Sequence, residues 1–416
     1  MRRAWRKVSA EYVSVGAVLV AGACLAADPP PPAPAAPAPA ASLGDFKRWV
    51  IAADFTRDGQ QLVTAGGESL LYRPGDVVVW QAADGSRVGD LAGHGTAVWA
   101  VRVSRDGKLA ATAGYDGVVK LWDLPARTLK HDLKKHKGWV RSLDFSPDGA
   151  RLATAGEDGS VVIWDTAAGT EQKAIAAHAG AATAVAFSAD GSTLASGGSD
   201  KLVKLWDPAS GAEKGKLEGH GDSLWAVAYS ADGSRLATAG ADRTIRLWTT
   251  SDSKEFATLA GHKDWVTSVA FAPDGTRLVS GSLDGAVKLW DVVAKGEQEG
   301  PEAQKSSVWS VAFAPDGKTL FVGTHAGGRL VPVPAAKLLP PPSPPPAPPP
   351  AAEPEKPAAA EPAKPAAEAA KPEAPKPAEP AKPETPKPAE PAKPEPTPPA
   401  APSQPAPPAA PAPAKP

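Results

Sequence analysis

HKGWVRSLDFSPDG, residues 136–149, returns as HKDWVTSVAFAPDG at residues 262–275. Each copy holds a histidine, a tryptophan, an apolar alternation and an Asp-Gly turn. The turn recurs at Asp58, Asp106, Asp148, Asp190, Asp232, Asp274 and Asp316, and from Asp106 onward every step is 42 residues. Trp80, Trp122, Trp164, Trp206, Trp248 and Trp290 keep the same step, as do His94, His136, His178, His220 and His262. Asp58 stands 48 residues before Asp106, and the six extra residues fall in GESLLYRPGD, between Thr64 and Trp80. A period of this length marks an array of small supersecondary units. Seven units fill roughly residues 46–338.

Within a unit the segments are short. WVRSLDF alternates apolar with polar, SPDG turns, ARLATAG is a second strand, EDG turns again, SVVIWD is a third strand and TEQKAIA a weaker fourth. Period-two patterning punctuated by Gly, Asp and Pro reads as four antiparallel strands, and helical periodicity is missing. One such sheet has two faces to cover and cannot stand alone. Seven packed around an axis cover each face with a neighbour. The expected fold is all-β: a seven-bladed β-propeller of four-stranded antiparallel blades over residues 43–339.

Gly-His near the unit start and Trp-Asp near its end (Trp122-Asp123, Trp164-Asp165, Trp206-Asp207, Trp290-Asp291) resemble the WD40 repeat. The resemblance implies a role for residues that otherwise look catalytic. His94-Thr112-Asp116-Trp122, His136-Thr154-Asp158-Trp164, His178-Ser196-Asp200-Trp206, His220-Thr238-Asp242-Trp248 and His262-Ser280-Asp284-Trp290 share one spacing. Out of context a His, a hydroxyl and an Asp suggest a hydrolase. In the WD40 family the four form a structural hydrogen-bond network. The chemistry allows it, since an indole N–H donates, a hydroxyl does both and a carboxylate accepts. Five copies argue for scaffolding, because a catalytic set occurs once, in one cleft. Two units depart from the pattern: the first has Phe46 in place of His, and the seventh has Gln304, Val322, Ala326 and Pro332 at the four positions. These units meet where the ring closes. In WD40 propellers the closing blade takes a strand from the far terminus, and the candidates are Ala41–Asp45 and Val333–Leu339.

Other tryptophans are not demanded by the repeat. Nine residues before a turn stand Trp49, Trp139 and Trp265; seven before stand Trp99, Trp225 and Trp309. The two positions share a strand face. By the WD40 resemblance that is the top face, at the mouth of the central channel, where many members bind peptides. The residue before each structural Asp also reaches it: Tyr115, Glu157, Ser199, Ala241 and Leu283. Trp49, Trp99, Tyr115, Trp139, Arg141, Trp225, Trp265 and Trp309 are therefore the candidate partner-binding residues. Trp, Tyr and Arg most often dominate binding energy. The competing reading is that these indoles simply pack against the next blade.

The ends of the chain are different in kind. Residues 1–27 combine a basic start (Arg2, Arg3, Arg6, Lys7) with an uncharged run of 15 residues, Tyr12 to Ala26, and read as a secretory signal, with paired arginines of twin-arginine type. A membrane-spanning helix wants about 20 apolar residues. Three endings compete: lipidation at Cys24, ordinary cleavage near Ala26 or Ala27, and an uncleaved anchor. Each puts the remainder outside the cytoplasm, in a periplasm or at a cell surface. Residues 28–42 are a Pro/Ala linker. Residues 340–416, rich in Pro, Ala, Lys and Glu, carry too little apolar surface to pack and are expected to be disordered, with polyproline II character.

Charge and composition limit the partners. Lys and Arg (45) nearly balance Asp and Glu (46), so no global field favours nucleic acid or an anionic membrane. The single cysteine rules out a disulfide within the chain and a Cys-based zinc site. Cofactors and metals are not expected, and neither HExxH, GxSxG, CxxCH nor GxxxxGK is present. The leading expectation is an exported, monomeric, non-enzymatic scaffold that binds a protein or peptide segment on the top face. Two alternatives are an envelope protein whose proline-rich tail is the binding or wall-spanning element, and a propeller enzyme with a channel site.

Overall fold

The structure, a computed structural model, describes residues 49–67 and 74–335. The signal-like segment 1–27 with Cys24, the linker, the tail 340–416 and the core of the insertion lie outside the described residues. What is described is a ring of antiparallel sheets with no helix. Blade 3 is typical: Val140–Phe145, Arg151–Gly156, Ser160–Asp165 and Thr170–Ala176 pair in chain order. Letters a to d denote these strands from the axis outward, and blades are numbered along the chain.

Burial explains the composition of each strand. Strand b has neighbours on both faces, so Leu152, Ala153, Thr154 and Ala155 are all fully buried and the run is small and apolar. Strand d is the rim, and Thr170–Ala176 buries only Ile175. Seven apolar cores hold the ring, one in each gap between blades. A buried Val, Leu or Trp contributes about 1.5–3 kcal/mol. Six to nine side chains of this size per gap outweigh the few exposed pairs between blades, so burial, rather than charge, sets the assembly.

The ring closes through one of these cores, in which Val50, Phe55, Leu62 and Trp80 of blade 1 meet Ala314, Phe321 and Leu330 of blade 7. Six blades have four strands; blade 7 shows three, Val308–Phe313, Thr319–Thr324 and Gly327–Pro332, among the described residues. Of the two expected closing segments, Ala41–Asp45 and residues 336–339 lie outside the described residues. Val333 to Ala335 are described and form no strand, although the Val333 N–H donates to the Lys318 carbonyl at 2.7 Å.

A feature that alternation alone does not predict appears in every innermost strand. The pairing of strand a with strand b skips one residue, at Ile51, Trp99, Arg141, Thr183, Trp225, Thr267 and Trp309. These are β-bulges, each an unpaired residue that re-aims its side chain. All seven sit seven residues before the turn aspartate. The nine-before residue precedes the strand in blades 2 to 7. The two positions therefore come together through a bulge and a loop, not through the unbroken pleat expected from sequence.

Candidate functional site at the channel mouth

Four of the five His-hydroxyl-Asp-Trp sets form closed networks. In blade 3, Trp164 Nε1 donates to Thr154 Oγ1 at 3.0 Å, His136 Nε2 meets that hydroxyl at 2.8 Å and His136 Nδ1 faces Asp158 at 3.2 Å. The sets of His178, His220 and His262 repeat this, with Nδ1–carboxylate distances of 2.9, 2.8 and 3.3 Å. The histidine Nδ1–H then donates to the carboxylate, and Nε2 accepts the hydroxyl proton, a tautomer inferred from the network. Asp158 is desolvated, which raises its pKa, yet hydrogen bonds from Ser160, the Lys137 N–H and His136 hold it at about 2. Burial pushes the imidazoles of His136, His178 and His262 down.

Blade 2 departs from this expectation. His94 Nε2 meets Thr112 Oγ1 at 2.7 Å and Trp122 Nε1 donates to the same oxygen at 2.8 Å, but His94 Nδ1 is buried with no partner. In the other four blades the N–H after the histidine donates to the aspartate. Here Thr96 intervenes: its Oγ1 accepts the Asp116 N–H at 3.2 Å, and Asp116 accepts only from Val118 N–H. Burial then dominates and drives the His94 imidazole down to about 4. Blade 1 lacks the histidine and keeps the inner half, Trp80 Nε1 donating to Thr64 Oγ1 at 2.8 Å. In each set the hydroxyl and the indole N–H are buried between strands.

The bulged residues face one another around the axis. Ile51, Trp99, Arg141, Thr183, Trp225, Thr267 and Trp309 line a cavity of about 110 Å³. Thr183 and Thr267 turn their hydroxyls onto strand b carbonyls, of Gly197 at 2.9 Å and Gly281 at 3.1 Å. The larger four fill the mouth. The Arg141 guanidinium lies 5.9, 5.0 and 5.1 Å from the ring centroids of Trp99, Trp139 and Trp225. Trp99 stacks on Trp139 at 5.7 Å and meets Trp309 edge-on at 5.8 Å. Tyr115 lies 3.8 Å from Trp139, and Trp225 5.4 Å from Trp265, which is 42% exposed. All eight residues singled out from sequence belong to this one network. It is a packed cap with an arginine inside.

One member was missed. His325 accepts from Trp309 Nε1 at 2.7 Å and lies 4.4 Å from the ring of Trp49. To accept at Nε2 it must be neutral, and burial pushes its pKa down accordingly. The signal was present: His325 stands 42 residues after Leu283, next in the series Tyr115, Glu157, Ser199, Ala241, Leu283. The seventh unit lacks the structural set, and that hid it.

Three donors in the cap have no acceptor. Trp99 Nε1, Trp225 Nε1 and Arg141 Nε are buried and unpartnered, and the ion pair of Arg141 with Glu157 is long, 3.6 Å. Unsatisfied buried donors cost about 1–3 kcal/mol each and call for an explanation. At the far end of the channel the buried carboxylates are instead held by backbone hydrogen bonds. Arg102 lies 3.9 Å from Asp144, and Asp54 and Asp144 accept the N–H groups of Val103 and Phe187 at 2.8 and 2.7 Å. Among the described residues no group of three or more His, Cys, Asp or Glu is placed to hold a metal.

Comparison with known proteins agrees with this architecture. The family model described as WD domain, G-beta repeat matches residues 85–123 and 127–165, and the model of the IFT122 first beta-propeller matches residues 181–328. The chain carries WD40 repeats. Its relatives include eukaryotic translation initiation factor 3 subunit I of Neosartorya fischeri, 36% identical over 70 residues, 17% of this chain and 19% of the relative. The same subunit from Aspergillus terreus is 34% identical over 82 residues, 20% of this chain and 23% of the relative. That of Eremothecium gossypii is 27% identical over 85 residues, with the same shares. The chain thus spans about a fifth of the length of these curated relatives. A match of 70 residues is shorter than two repeats of 42, so it conveys the WD40 repeat and little else.

Proposed function

We propose that this WD40 propeller is a non-enzymatic, monomeric scaffold that binds an extended protein segment across the channel mouth. WD40 propellers are in general protein-interaction scaffolds. The observation that carries the reading to this face is the cap itself: six tryptophans, a tyrosine and a histidine around Arg141, with three N–H donors lacking acceptors. A laid-in peptide backbone supplies carbonyl oxygens, and a proline-rich one supplies them with few competing N–H groups. Half-buried indoles reach such acceptors by the rotamer changes that ordinarily accompany binding. A cationic ligand is disfavoured, because Arg141 already occupies the cation site over the indole faces.

The N-terminal sequence supports the proposal that the scaffold acts outside the cytoplasm, tethered at Cys24 or released by cleavage after it. Fractionation of cells expressing the tagged full chain checks this; a product confined to the cytoplasm with residues 1–27 intact sinks it. Partner binding is checked with Trp99, Trp225 and Trp309 changed together to Ala, beside a chain lacking residues 340–416. The triple variant is expected to lose partner recovery while the shortened chain keeps it. The opposite pattern makes the tail the binder.

A further inference from the structure

The repeat supplies its own controls. Three residues after each turn aspartate stand Gln61, Leu109, Arg151, Thr193, Arg235, Arg277 and Thr319. Arg151 reaches from blade 3 across the gap to blade 4. Its guanidinium carbon lies 5.8 Å from the ring centroid of Phe187, and its NH2 group donates to the Gly191 carbonyl at 3.4 Å. Arg277 likewise donates from blade 6 to the Gly317 carbonyl of blade 7, at 3.3 Å, whereas Arg235 of blade 5 turns to Phe256 of its own blade, 5.3 Å from the ring centroid. Blade 4 has Thr193 at this place. Opposite it, blade 5 presents Tyr229 and Gly233, the counterparts of Phe187 and Gly191 one period on. At this place the gap between blades 4 and 5 holds a pocket of about 560 Å³, larger than one arginine side chain, lined by Asp190, Thr193, Lys214, Tyr229, Asp232 and Gly233 among others. It opens at the a–b turn end of the blades, the opposite end of strand a from the aromatic cap.

The electrostatics of this pocket favour a cation. Asp190 and Asp232 are held at about 2, the first by hydrogen bonds from Ser188 and Ser192, the second by those from Ser230 and Ser234. Both are ionised at neutral pH. Each accepts three hydrogen bonds of the roughly four a carboxylate can take. Burial raises the Tyr229 phenol, so its ring stays neutral and offers an electron-rich face. Lys214 is the one opposing charge in the lining; its ammonium is held by two neutral acceptors, Thr193 Oγ1 at 2.8 Å and the Ser192 carbonyl at 3.4 Å, so the two aspartates leave the lining with one net negative charge.

We propose that the pocket between blades 4 and 5 binds the guanidinium of an arginine side chain presented by a partner protein, filling the place that Arg151 and Arg277 fill elsewhere in the ring. A planar fork over an aromatic face, with a backbone carbonyl at its edge, suits guanidinium; the point charge of an ammonium matches it less well. The site lies apart from the channel mouth and goes beyond the reading given above.

The test is calorimetric titration of the full chain with N-acetyl-arginine amide and, in parallel, N-acetyl-lysine amide. Saturable binding of the arginine compound is expected, at least tenfold tighter than that of the lysine compound. Thr193→Arg supplies the guanidinium internally; it is expected to abolish binding and to raise the melting temperature. Asp190→Asn with Asp232→Asn, whose turns keep their backbone hydrogen bonds, is expected to weaken binding at least tenfold. The triple tryptophan variant is expected to bind arginine amide unchanged, which separates this site from the channel mouth. Absence of saturable binding by the unmodified chain, equal affinity for the two amides, or undiminished binding by either pocket variant overturns the proposal.

Discussion

A single hydroxyl carries each structural network. Thr154 accepts the buried Trp164 N–H and bonds His136, so Thr154→Val strands two polar groups between blades 2 and 3. Its expected cost is about 2–4 kcal/mol, read from chemical denaturation. His94 gives a pH prediction. Its folded pKa of about 4 is depressed below the ordinary 6.5, so the folded state takes up its proton less readily than the unfolded chain. Stability from this group is therefore full above about pH 6.5, falls as pH drops through that value, and is exhausted below about 4, a loss of up to about 3 kcal/mol. His94→Gln is expected to flatten the pH dependence of the melting temperature between pH 6.5 and 4. An unchanged slope refutes the assignment. Buried Asp144, raised to about 6 chiefly by desolvation, works in the opposite direction, which is why the His94 variant must be compared with the unmodified chain.

At the scale of elements the turns and bulges decide where side chains go. The b–c turn places residue 117, 159, 201, 243 or 285 in the left-handed region, and three of these are glycine. A Cβ on Gly159, at φ 78°, would lie 2.7 Å from the carbonyl oxygens of both Gly180 and His178. Gly159→Ala is expected to destabilise by more than about 1 kcal/mol, since backbone on both sides must move. Arg243 adopts the same conformation at φ 66° without a glycine's freedom. Arg243→Gly is expected to raise the melting temperature by the equivalent of about 0.5–1 kcal/mol, a change of opposite sign at an equivalent position. A fall in melting temperature would show that the left-handed residue is not the source of strain. The bulge in strand a matters more for function: it aims Trp99, Arg141, Trp225 and Trp309 at the axis.

For the whole molecule, the test of closure lies in the gap between the first and last blades. Phe321 is fully buried there, and Phe321→Ala is expected to cost about 3–5 kcal/mol. Ring and array are distinguished by this number. In an open array of repeats, a truncation in the terminal unit would fray that unit and spare the rest. In a closed ring it is expected to lower the main unfolding transition, because every blade is covered on both faces. A separate low-temperature transition, with the main one unmoved, would contradict closure.

Much of this was legible in the chain. The 42-residue step of Asp, Trp and His dictated seven units, and short alternating segments dictated sheets, because period-two patterning and turn chemistry are local. The five repeated side-chain sets could be read as braces from the WD40 resemblance, supported by their number. What sequence spacing could not reveal was geometry that depends on neighbours. Asp116 bonds Thr96, two residues beyond His94, while His94 Nδ1 is left without a partner. The bulge that turns seven side chains inward is invisible in an apolar pattern, since it leaves composition unchanged. The packing of Arg141 among three indoles and the slot left by Thr193 both arise across gaps between blades. Local periodicity fixes what each strand is; only closure of the ring brings residues from distant repeats to one point, and that is where the proposed binding site lies.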